Sequence, residues 1–231
     1  MQRVLITNDD GISADGIWAM HRVATQMFDE VWLVAPDEEN SQIGHKVTTY
    51  SPITIDQREE RVFAVGGTPA DCTRVALAHL LPERPDWVWS GINHGGNLGR
   101  HDFVISGTMA AVREGAFAGI PGFGVSHYLR RGVELYWEKA GQRMAQAFEV
   151  AQSHSLKTGE FWSVNLPHLD EGASAPDVVL CEQEPQPLEV AYDVTDAGLV
   201  YTGSYPDRPR SPGTDVDVCF GGNIALSRCS I

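Results

Sequence analysis

The chain has 231 residues, with 17 Lys and Arg against 31 Asp and Glu, which gives a formal net charge of −14. This length suffices for one large α/β domain with a full-sized core and argues against an independent second domain. Binding to a nucleic-acid polymer needs clustered Lys and Arg, so the charge argues against such a surface. No apolar run approaches the length of a bilayer span, and we expect no membrane partner.

The N-terminus and the cysteines indicate the cellular compartment. The chain runs from Met1 straight into an apolar strand pattern without a basic, apolar leader, so we expect a cytoplasmic protein. The four cysteines, which form no C-x-x-C pair, are Cys72, Cys181, Cys219 and Cys229. This spacing argues against a zinc or redox motif, and in the cytoplasm it predicts free thiols.

A short apolar run near the N-terminus breaks abruptly at two acidic residues. Val4 to Thr7 predicts a buried strand, and Asn8-Asp9-Asp10-Gly11 follows it directly. Two adjacent carboxylates repel each other, and a divalent cation with oxygen ligands would compensate for that repulsion. The alternative is a turn that only caps the helix expected from about Gly16. The stretch alone does not separate a metal site from a turn.

The next elements predict a parallel sheet. Apolar residues at helical spacing from Ile17 to Phe28 indicate a helix, and Val31 to Ala35 form a second buried strand that Pro36 ends. Strand, helix and strand in this order predict a right-handed crossover. The polar loop from Asp37 to Lys46 should then face the Asp9-Asp10 turn, because ligands bind outside the carboxyl ends of parallel strands.

A short antiparallel excursion is expected next. Val47 to Tyr50, Ile53 to Ile55 and Val62 to Val65 have the composition of strands, with a turn around Gln57 to Glu60.

A helix start follows this excursion. Thr68 can serve as the N-cap, Pro69 as the first helical residue and Asp71 as the third, which together satisfy the first turn. This pattern is mainly structural, although the preceding Gly66 and Gly67 could let the backbone approach a ligand.

Two further polar stretches are candidates for ligand contact. Gly91 to Gly99 follows the strand predicted at Trp87 to Ser90 and contains four glycines and two asparagines. It can offer an amide oxygen to a cation and backbone N–H groups to an anion. Ser106-Gly107-Thr108 then opens a helix whose free N–H groups favour phosphate or carboxylate. The alternatives are a flexible surface loop and an ordinary capped helix. They are less favoured because three polar loops would then share one sheet edge by chance.

The remaining pattern predicts more strands. Phe123 to Ser126 and Phe161 to Pro167 read as sheet strands, Ser126 could reach the same edge, and Leu135 to Ser153 is an amphipathic helix. From Asp170 onward, short apolar runs alternate with Pro and Gly.

The expected fold is therefore α/β, a three-layer αβα Rossmann-like arrangement with a mostly parallel sheet. Residues 1–169 form a Rossmann-like catalytic core. Residues 170–231 form a β-rich extension that completes the same domain, with the Pro-rich loop from Tyr205 to Pro212 as a flexible arm.

The oxygen-rich residues suggest a specific chemistry. Asp9, Asp10, a hydroxyl such as Ser41 and an amide such as Asn93 form a hard ligand set that suits Mg²⁺ or Mn²⁺ rather than zinc. A cation there, with amides at the helix start beside it, would support phosphomonoester hydrolysis. The sequence has no H-E-x-x-H motif. The single histidines of the polar loops, His45, His94 and His101, are expected to be solvated more than to act as general bases.

These stretches resemble the SurE, or survival-protein, family of metal-dependent nucleoside-monophosphate phosphatases. The matching stretches are Ile6–Ile12, Ala35–Asp37 with Asn40 and Ser41, Gly67–Cys72, Ser90–Asn93 with Asn97–Gly99, Ser106–Thr108, and Glu114 with Gly115. They follow in order through a little more than the first half of the chain, near the family's usual spacing, and are specific only in combination.

The resemblance implies a 5′/3′-nucleotidase that hydrolyses nucleoside monophosphates, with one divalent ion, Mg²⁺ or Mn²⁺, per subunit. The implied metal ligands are Asp9, Asp10, Ser41 and Asn93, and the implied phosphate or substrate contacts are Gly44, Asn97, Ser106, Gly107 and Thr108. The catalytic set comprises Asp9, Asp10, Asn97 and Ser106. Whether metal-bound water or a carboxylate such as Asp9 attacks phosphorus stays open.

The resemblance also concerns assembly. Members of this family exchange a C-terminal β-hairpin or arm between subunits, which implies a homodimer or homotetramer that uses residues 170–231. Gly213 to Asp217 and Gly222 to Ser227 look like the family's late acidic turn and last strand.

Two other functions are compatible with parts of the pattern. An aspartyl-phosphate phosphatase would use a D-x-D turn, whereas Asp9 and Asp10 are adjacent here. A non-catalytic nucleotide-binding module would retain the fold without hydrolysis, although no member of the proposed metal set is missing.

Overall fold

The structure is a computed structural model that describes residues 1–231. Strands and helices alternate through most of the chain. The elements are β1 (Arg3–Thr7), α1 (Asp15–Met27), β2 (Glu30–Pro36), β3 (Ile55–Glu59), β4 (Val62–Val65), α2 (Pro69–Val75), β5 (Trp87–His94), α3 (Gly99–Ile105), α4 (Gly107–Phe117), β6 (Gly122–His127), α5 (Trp137–Gln152), β7 (Glu160–Leu166), β8 (Val178–Leu180), β9 (Tyr192–Thr195), β10 (Gly198–Tyr201), α6 (Asp215–Phe220) and β11 (Ile224–Ser230).

Nine of these strands form one sheet in the order β3-β4-β2-β1-β5-β6-β7-β11-β8. The six consecutive strands from β4 to β7 in this order all run parallel to one another. β3 and β11 pair antiparallel with β4 and β7, and β8 runs parallel to β11. The α/β class with a mostly parallel sheet is confirmed. None of the helices combines the length and apolar composition that a bilayer crossing requires.

Helices cover both faces of the sheet, which accounts for the unbroken apolar character of the central strands. Val4 and Ile6 of β1 belong to a core cluster that includes residues of α1 and α5. Leu5 belongs instead to a cluster that includes residues of α2 and α4. Because successive strand residues face opposite sides, this alternation buries β1 completely and confirms the three-layer arrangement.

The strand order creates a crevice at the carboxyl end of β1. Within the sheet, β2 lies next to β1 on one side, and the chain later returns to place β5 next to β1 on the other side. At such a switch point the connections leave in opposite directions, and ligands bind in the space between them. The residues after β1, after β2 and at the end of β5 therefore meet at one edge.

The antiparallel excursion differs from its prediction. Val47 to Tyr50 is not a strand, because the Asp71 carboxylate accepts hydrogen bonds from the backbone and hydroxyl of Thr48. The predicted turn at Gln57 to Glu60 is also wrong, since β3 continues to Glu59. Every residue of β3 is exposed at the sheet edge. Because neither face of this strand is buried, its sequence lacks the alternation of apolar and polar residues by which a strand is recognised.

The Gly-rich stretch was only partly a loop. Gly91 to His94 continue β5 because Asn93 and His94 pair with Ser126 and His127 of β6. The helix α3 was not predicted, and no side chain caps its N-terminus, so the local sequence carried no capping signal for it. By contrast, α4 begins where expected, with Ser106 as its N-cap.

The segment from Asp170 onward contributes to the main sheet and to a separate hairpin. β8 and β11 extend the nine-stranded sheet, whereas β9 and β10 pair only with each other. The expectation of a flexible arm from Tyr205 to Pro212 was wrong. Arg208 in this loop is 4% exposed, and its guanidinium donates to Asp102 at 2.6 Å and to the Leu98 carbonyl oxygen at 2.7 Å.

The capping box of α2 is confirmed and also anchors the preceding chain. The backbone N–H of Asp71 donates to the Thr68 hydroxyl, while the Asp71 carboxylate accepts from the Thr68 backbone and from Thr48. Burial raises the pKa of Asp71, but the hydrogen bonds from Thr48 and Thr68 outweigh it, so the pKa lies below its ordinary value. The charged carboxylate therefore stabilises the fold.

We expect Asp71→Ala to lower the free energy of unfolding at neutral pH by about 2 kcal/mol, because a cap and buried donors lose their acceptor. The folded-state pKa lies below the unfolded value of about 4, so this contribution is present above that value and is lost as the pH falls through the lowered pKa. Urea unfolding at several pH values measures the effect. Asp56→Ala on the exposed strand β3 is the control, and equal losses in both variants would contradict the assignment.

Candidate active site

Several of the predicted site residues line one cavity of about 770 Å³ at the crevice beside β1. They come from four separate segments of the chain. Asp9 follows β1, Ser41 lies in the loop after β2, Asn93 lies near the end of β5 and Ser106 caps α4. The volume falls within the range usual for small-molecule sites. The fold thus brings together residues that are far apart in sequence.

The Asp9 carboxylate is buried, with 4% of the residue exposed. Its Oδ1 accepts a hydrogen bond of 2.6 Å from the Thr108 hydroxyl at the start of α4. Burial and the neighbouring Asp10 charge raise the pKa of Asp9 to about 7, and the hydrogen bonds from Thr108 oppose this rise. The side chain is therefore held in place while its negative charge is poorly compensated.

Asp10 lies beside it and is partly exposed. Burial raises the pKa of Asp10, against a hydrogen bond of 2.9 Å that its Oδ2 accepts from the His94 backbone N–H. Neither aspartate has a side-chain nitrogen of Lys, Arg or His within 4.0 Å. Two carboxylates without an internal cation form a site that a metal ion would stabilise.

The neutral oxygens of the expected ligand set are less constrained. The Ser41 hydroxyl is exposed and donates to Glu39 Oε1 at 2.6 Å. The Asn93 amide nitrogen donates to the Gly95 carbonyl oxygen at 2.8 Å, which leaves the Asn93 amide oxygen available as an acceptor. Both side chains line the cavity beside Asp9.

These donors fit a hard divalent cation. The structure holds no group of three or more His, Cys, Asp and Glu side chains arranged for a metal ion. A cation at Asp9 and Asp10 would therefore also depend on neutral oxygens, which Ser41 and Asn93 supply. An all-oxygen set favours Mg²⁺ or Mn²⁺ over zinc.

The expected phosphate contacts divide into two groups. Ser106 and Asn97 line the cavity, whereas Gly44, Gly107 and Thr108 do not. Thr108 is fully buried and its hydroxyl supports Asp9, while the Gly44 N–H donates to the Ile105 carbonyl oxygen at 3.0 Å. The Met109 N–H donates to the Ser106 hydroxyl at 3.2 Å, and the Thr108 N–H interacts with Asp9. The Gly107 N–H, at the first helical position, has no partner within the helix, which suits it to an anion.

Asn97 is fixed by a buried network that the sequence did not reveal. Its backbone N–H donates to Asn165 Oδ1 at 2.8 Å, and its amide nitrogen donates to Ser126 Oγ at 2.7 Å. The amide nitrogen of Asn165 on β7 donates a hydrogen bond to the Asn97 carbonyl oxygen at 3.2 Å. The sequence analysis noted that Ser126 could reach this edge. It did not identify Asn165, because nothing in the local sequence marks that residue as a hydrogen-bond partner of Asn97.

The histidines of the polar loops differ in their surroundings. His45 is not a solvated side chain, because its Nε2 lies 2.8 Å from Glu114 Oε1 and its Nδ1 lies 3.1 Å from an Arg113 nitrogen. His94 and His101 line the cavity. The expectation for His45 was therefore wrong, since α4 packs against its loop.

The cavity has a second wall that the sequence analysis did not connect with the site. This wall is formed by residues of the C-terminal segment: Leu188, Val190, Tyr192, Tyr201, Gly203 and Tyr205. The only signal in the sequence was the recurrence of aromatic and aliphatic residues there, which equally suits an oligomer contact.

The chain is similar to known proteins along most of its length. The family model described as survival protein SurE matches residues 4–188. A relative from Synechocystis sp., described as a candidate 5′-nucleotidase, is 44% identical over 227 residues, which cover 98% of this chain and 99% of the relative. The protein named 5′-nucleotidase SurE from Allorhizobium ampelinum is 33% identical over 231 residues, which cover 97% and 90% of the two chains.

A solved structure extends the similarity to the fold. The crystal structure of the SurE protein from Aquifex aeolicus superposes with a TM-score of 0.84 at 27% identity and covers 99% of this chain and 93% of the other. The similarity therefore includes the C-terminal segment as well as the residues that the family model matches. Because the family model matches most of the chain and relatives align along nearly their whole length, the chain belongs to the SurE family of survival proteins.

Proposed function

We propose that this protein is a metal-dependent phosphomonoesterase that hydrolyses nucleoside monophosphates to nucleoside and phosphate. The observation that carries the proposal is the buried, uncompensated Asp9, which lines the 770 Å³ cavity next to the N-terminus of α4, whereas the adjacent Asp10 lies outside the cavity lining. The relatives named 5′-nucleotidase support the nucleotide as substrate. A 5′- or 3′-phosphate of a nucleoside monophosphate is the group that the site would receive.

We assign Asp9, Asp10, Ser41 and Asn93 as the residues that would hold one Mg²⁺ or Mn²⁺ per subunit. The ion, when bound, supplies charge compensation for the aspartates and polarises the phosphate group for attack by water. The protein's own contribution is to keep Asp9 in one orientation. The hydrogen bond from Thr108 links that orientation to the first turn of α4.

The remaining site residues bind and orient the phosphate. In this assignment the Gly107 N–H at the start of α4 faces the phosphate oxygens and stabilises the negative charge that develops on them. Ser106 and Asn97 contact the substrate from the cavity wall. The hydrogen bonds from Asn97 to Ser126 and Asn165 fix its position in the cavity wall.

We infer that the subunits assemble into a homodimer or homotetramer through the segment 170–231. The hairpin of β9 and β10 supports this, because Val194 and its cross-strand partner Leu199 lie on one face and are 86% and 67% exposed. Apolar side chains that protrude together in this way mark protein contacts. The four free cysteines support a cytoplasmic location, since thiols persist in a reducing compartment.

Replacing Asp9 tests the metal assignment. We expect Asp9→Asn, which keeps the side-chain shape but removes the charge, to reduce phosphate release from AMP and GMP with Mn²⁺ or Mg²⁺ at least about 100-fold. Isothermal titration with Mn²⁺ should show a parallel loss of affinity. Asp29→Asn, an exposed aspartate away from the cavity, is the control. Wild-type turnover in Asp9→Asn would refute the site, and a phosphoenzyme trapped on Asp9 would support the aspartyl-phosphate route instead.

Gly107 tests the link between α4 and Asp9. A Cβ at this position would lie 2.9 Å from Asp9 Cβ, 3.0 Å from Asp9 Oδ2 and 3.2 Å from Pro69 Cγ. We expect Gly107→Ala to displace the Asp9 carboxylate and to lower kcat about 10-fold or more, while the protein stays folded. Steady-state phosphate release and thermal unfolding measure the two effects. Gly141→Ala within α5 is the matched control, and unchanged kcat in Gly107→Ala would contradict the proposed contact.

A further inference from the structure

We propose that Tyr192 and Tyr201, with Tyr205 at its edge, form a subsite that stacks against the nucleobase of the substrate. This inference rests on the proposed nucleotidase function and assigns a role to the C-terminal wall of the cavity. The three rings line the same cavity as Asp9 and Ser106, although they come from a different part of the chain. The cavity therefore has an oxygen-rich wall suited to metal and phosphate and an aromatic wall suited to a flat ring.

Tyr205 is held rigidly before any ligand arrives. Its hydroxyl donates to the Gly96 carbonyl oxygen at 3.1 Å, beside Asn97 of the proposed phosphate contacts. The Arg208 guanidinium lies 4.7 Å from its ring centre. Arg208 is itself fixed by a buried ion pair with Asp102. The Tyr128 ring also stacks with that of Tyr205, with ring centres 6.2 Å apart, so Tyr205 forms a fixed boundary of the subsite and the open ring surfaces are those of Tyr192 and Tyr201.

Tyr192 and Tyr201 face each other across the β9–β10 hairpin. They are register partners, and their ring centres lie 5.6 Å apart at an interplanar angle of 72°. Tyr192 is 54% exposed and Tyr201 46% exposed, so much of each aromatic surface is open to a ligand. Stacking of a base on an aromatic ring contributes about 1–3 kcal/mol and tolerates different bases.

Hydrogen bonding within this wall suggests which feature of the base is recognised. The Tyr201 hydroxyl donates to the Glu189 carbonyl oxygen at 3.2 Å, and the Tyr205 hydroxyl is engaged with Gly96. These two phenols are therefore not free donors for the edge of a base. Stacking on the ring faces alone would discriminate weakly between adenine and guanine, and the Tyr192 hydroxyl is the one phenol of this wall without a hydrogen bond.

The hairpin also provides a control for its own folding and assembly. Leu199 pairs with Val194 across the hairpin, two residues from Tyr201, and therefore projects from the same face. It is 67% exposed and does not line the cavity. Leu199→Ala thus alters the apolar face of the hairpin without touching the proposed subsite.

The test compares substrates with and without a base. We expect Tyr192→Ala and Tyr201→Ala to raise KM for AMP and GMP about 10-fold each, with kcat changed less than about 2-fold, which corresponds to the lost stacking. KM for ribose 5-phosphate, which carries the same sugar phosphate without a base, should not change. Tyr201→Phe should retain the wild-type KM for AMP, because it keeps the ring.

The controls separate this inference from the proposed function. Leu199→Ala and Tyr50→Ala, the latter a fully exposed tyrosine outside the cavity, should leave KM for AMP unchanged, and size-exclusion chromatography of every variant reports assembly. If the wild-type protein hydrolyses AMP but the tyrosine variants change KM for AMP and ribose 5-phosphate equally, or change neither, the base subsite is refuted alone. Absence of AMP hydrolysis by the wild-type protein would refute the proposed function and the subsite together.

Discussion

The buried carboxylate of Asp9 is the constraint on which the rest of the site depends. A carboxylate next to a second acid is unfavourable in a buried place, and the raised pKa of Asp9 reflects that cost. Its position persists because β1 is enclosed on both faces and because Thr108 reaches it from the start of α4. One hydrogen bond thus joins the acidic turn to the helix end that is suited to phosphate.

The strand order converts this local arrangement into a cavity. With β2 on one side of β1 and β5 on the other, the loop carrying Ser41 and the strand end carrying Asn93 both reach the edge where Asp9 lies. The same edge would be obtained with many different loops, so the chemistry depends on the side chains that these loops carry. Membership of the SurE family and the oxygen-rich wall therefore both support a phosphatase.

The C-terminal segment is joined to this core by polar contacts as well as by the sheet. Arg208 and Asp102 form a buried ion pair, and a second hydrogen bond from Arg208 to Leu98 satisfies the guanidinium further. Removing one partner of such a pair leaves a buried charge, so the pair specifies where the Tyr205 segment docks. As a result, the cavity has walls from both halves of the chain, which is the arrangement that a substrate with a phosphate and a base requires.

The sequence by itself determined those features whose signals are local. The apolar run of β1, the capping box at Thr68 and Asp71 and the start of α4 at Ser106 were all predicted, because each depends on residues within one turn or strand. The metal ligands and phosphate contacts were named from motifs, and their roles stay predictions. Only the tertiary structure decided the rest, including the extension of β5 through Asn93, the support of Asn97 by Asn165 and the aromatic wall. These features depend on partners up to more than a hundred residues away, such as Gly96 and Tyr205, whose meeting no local pattern encodes.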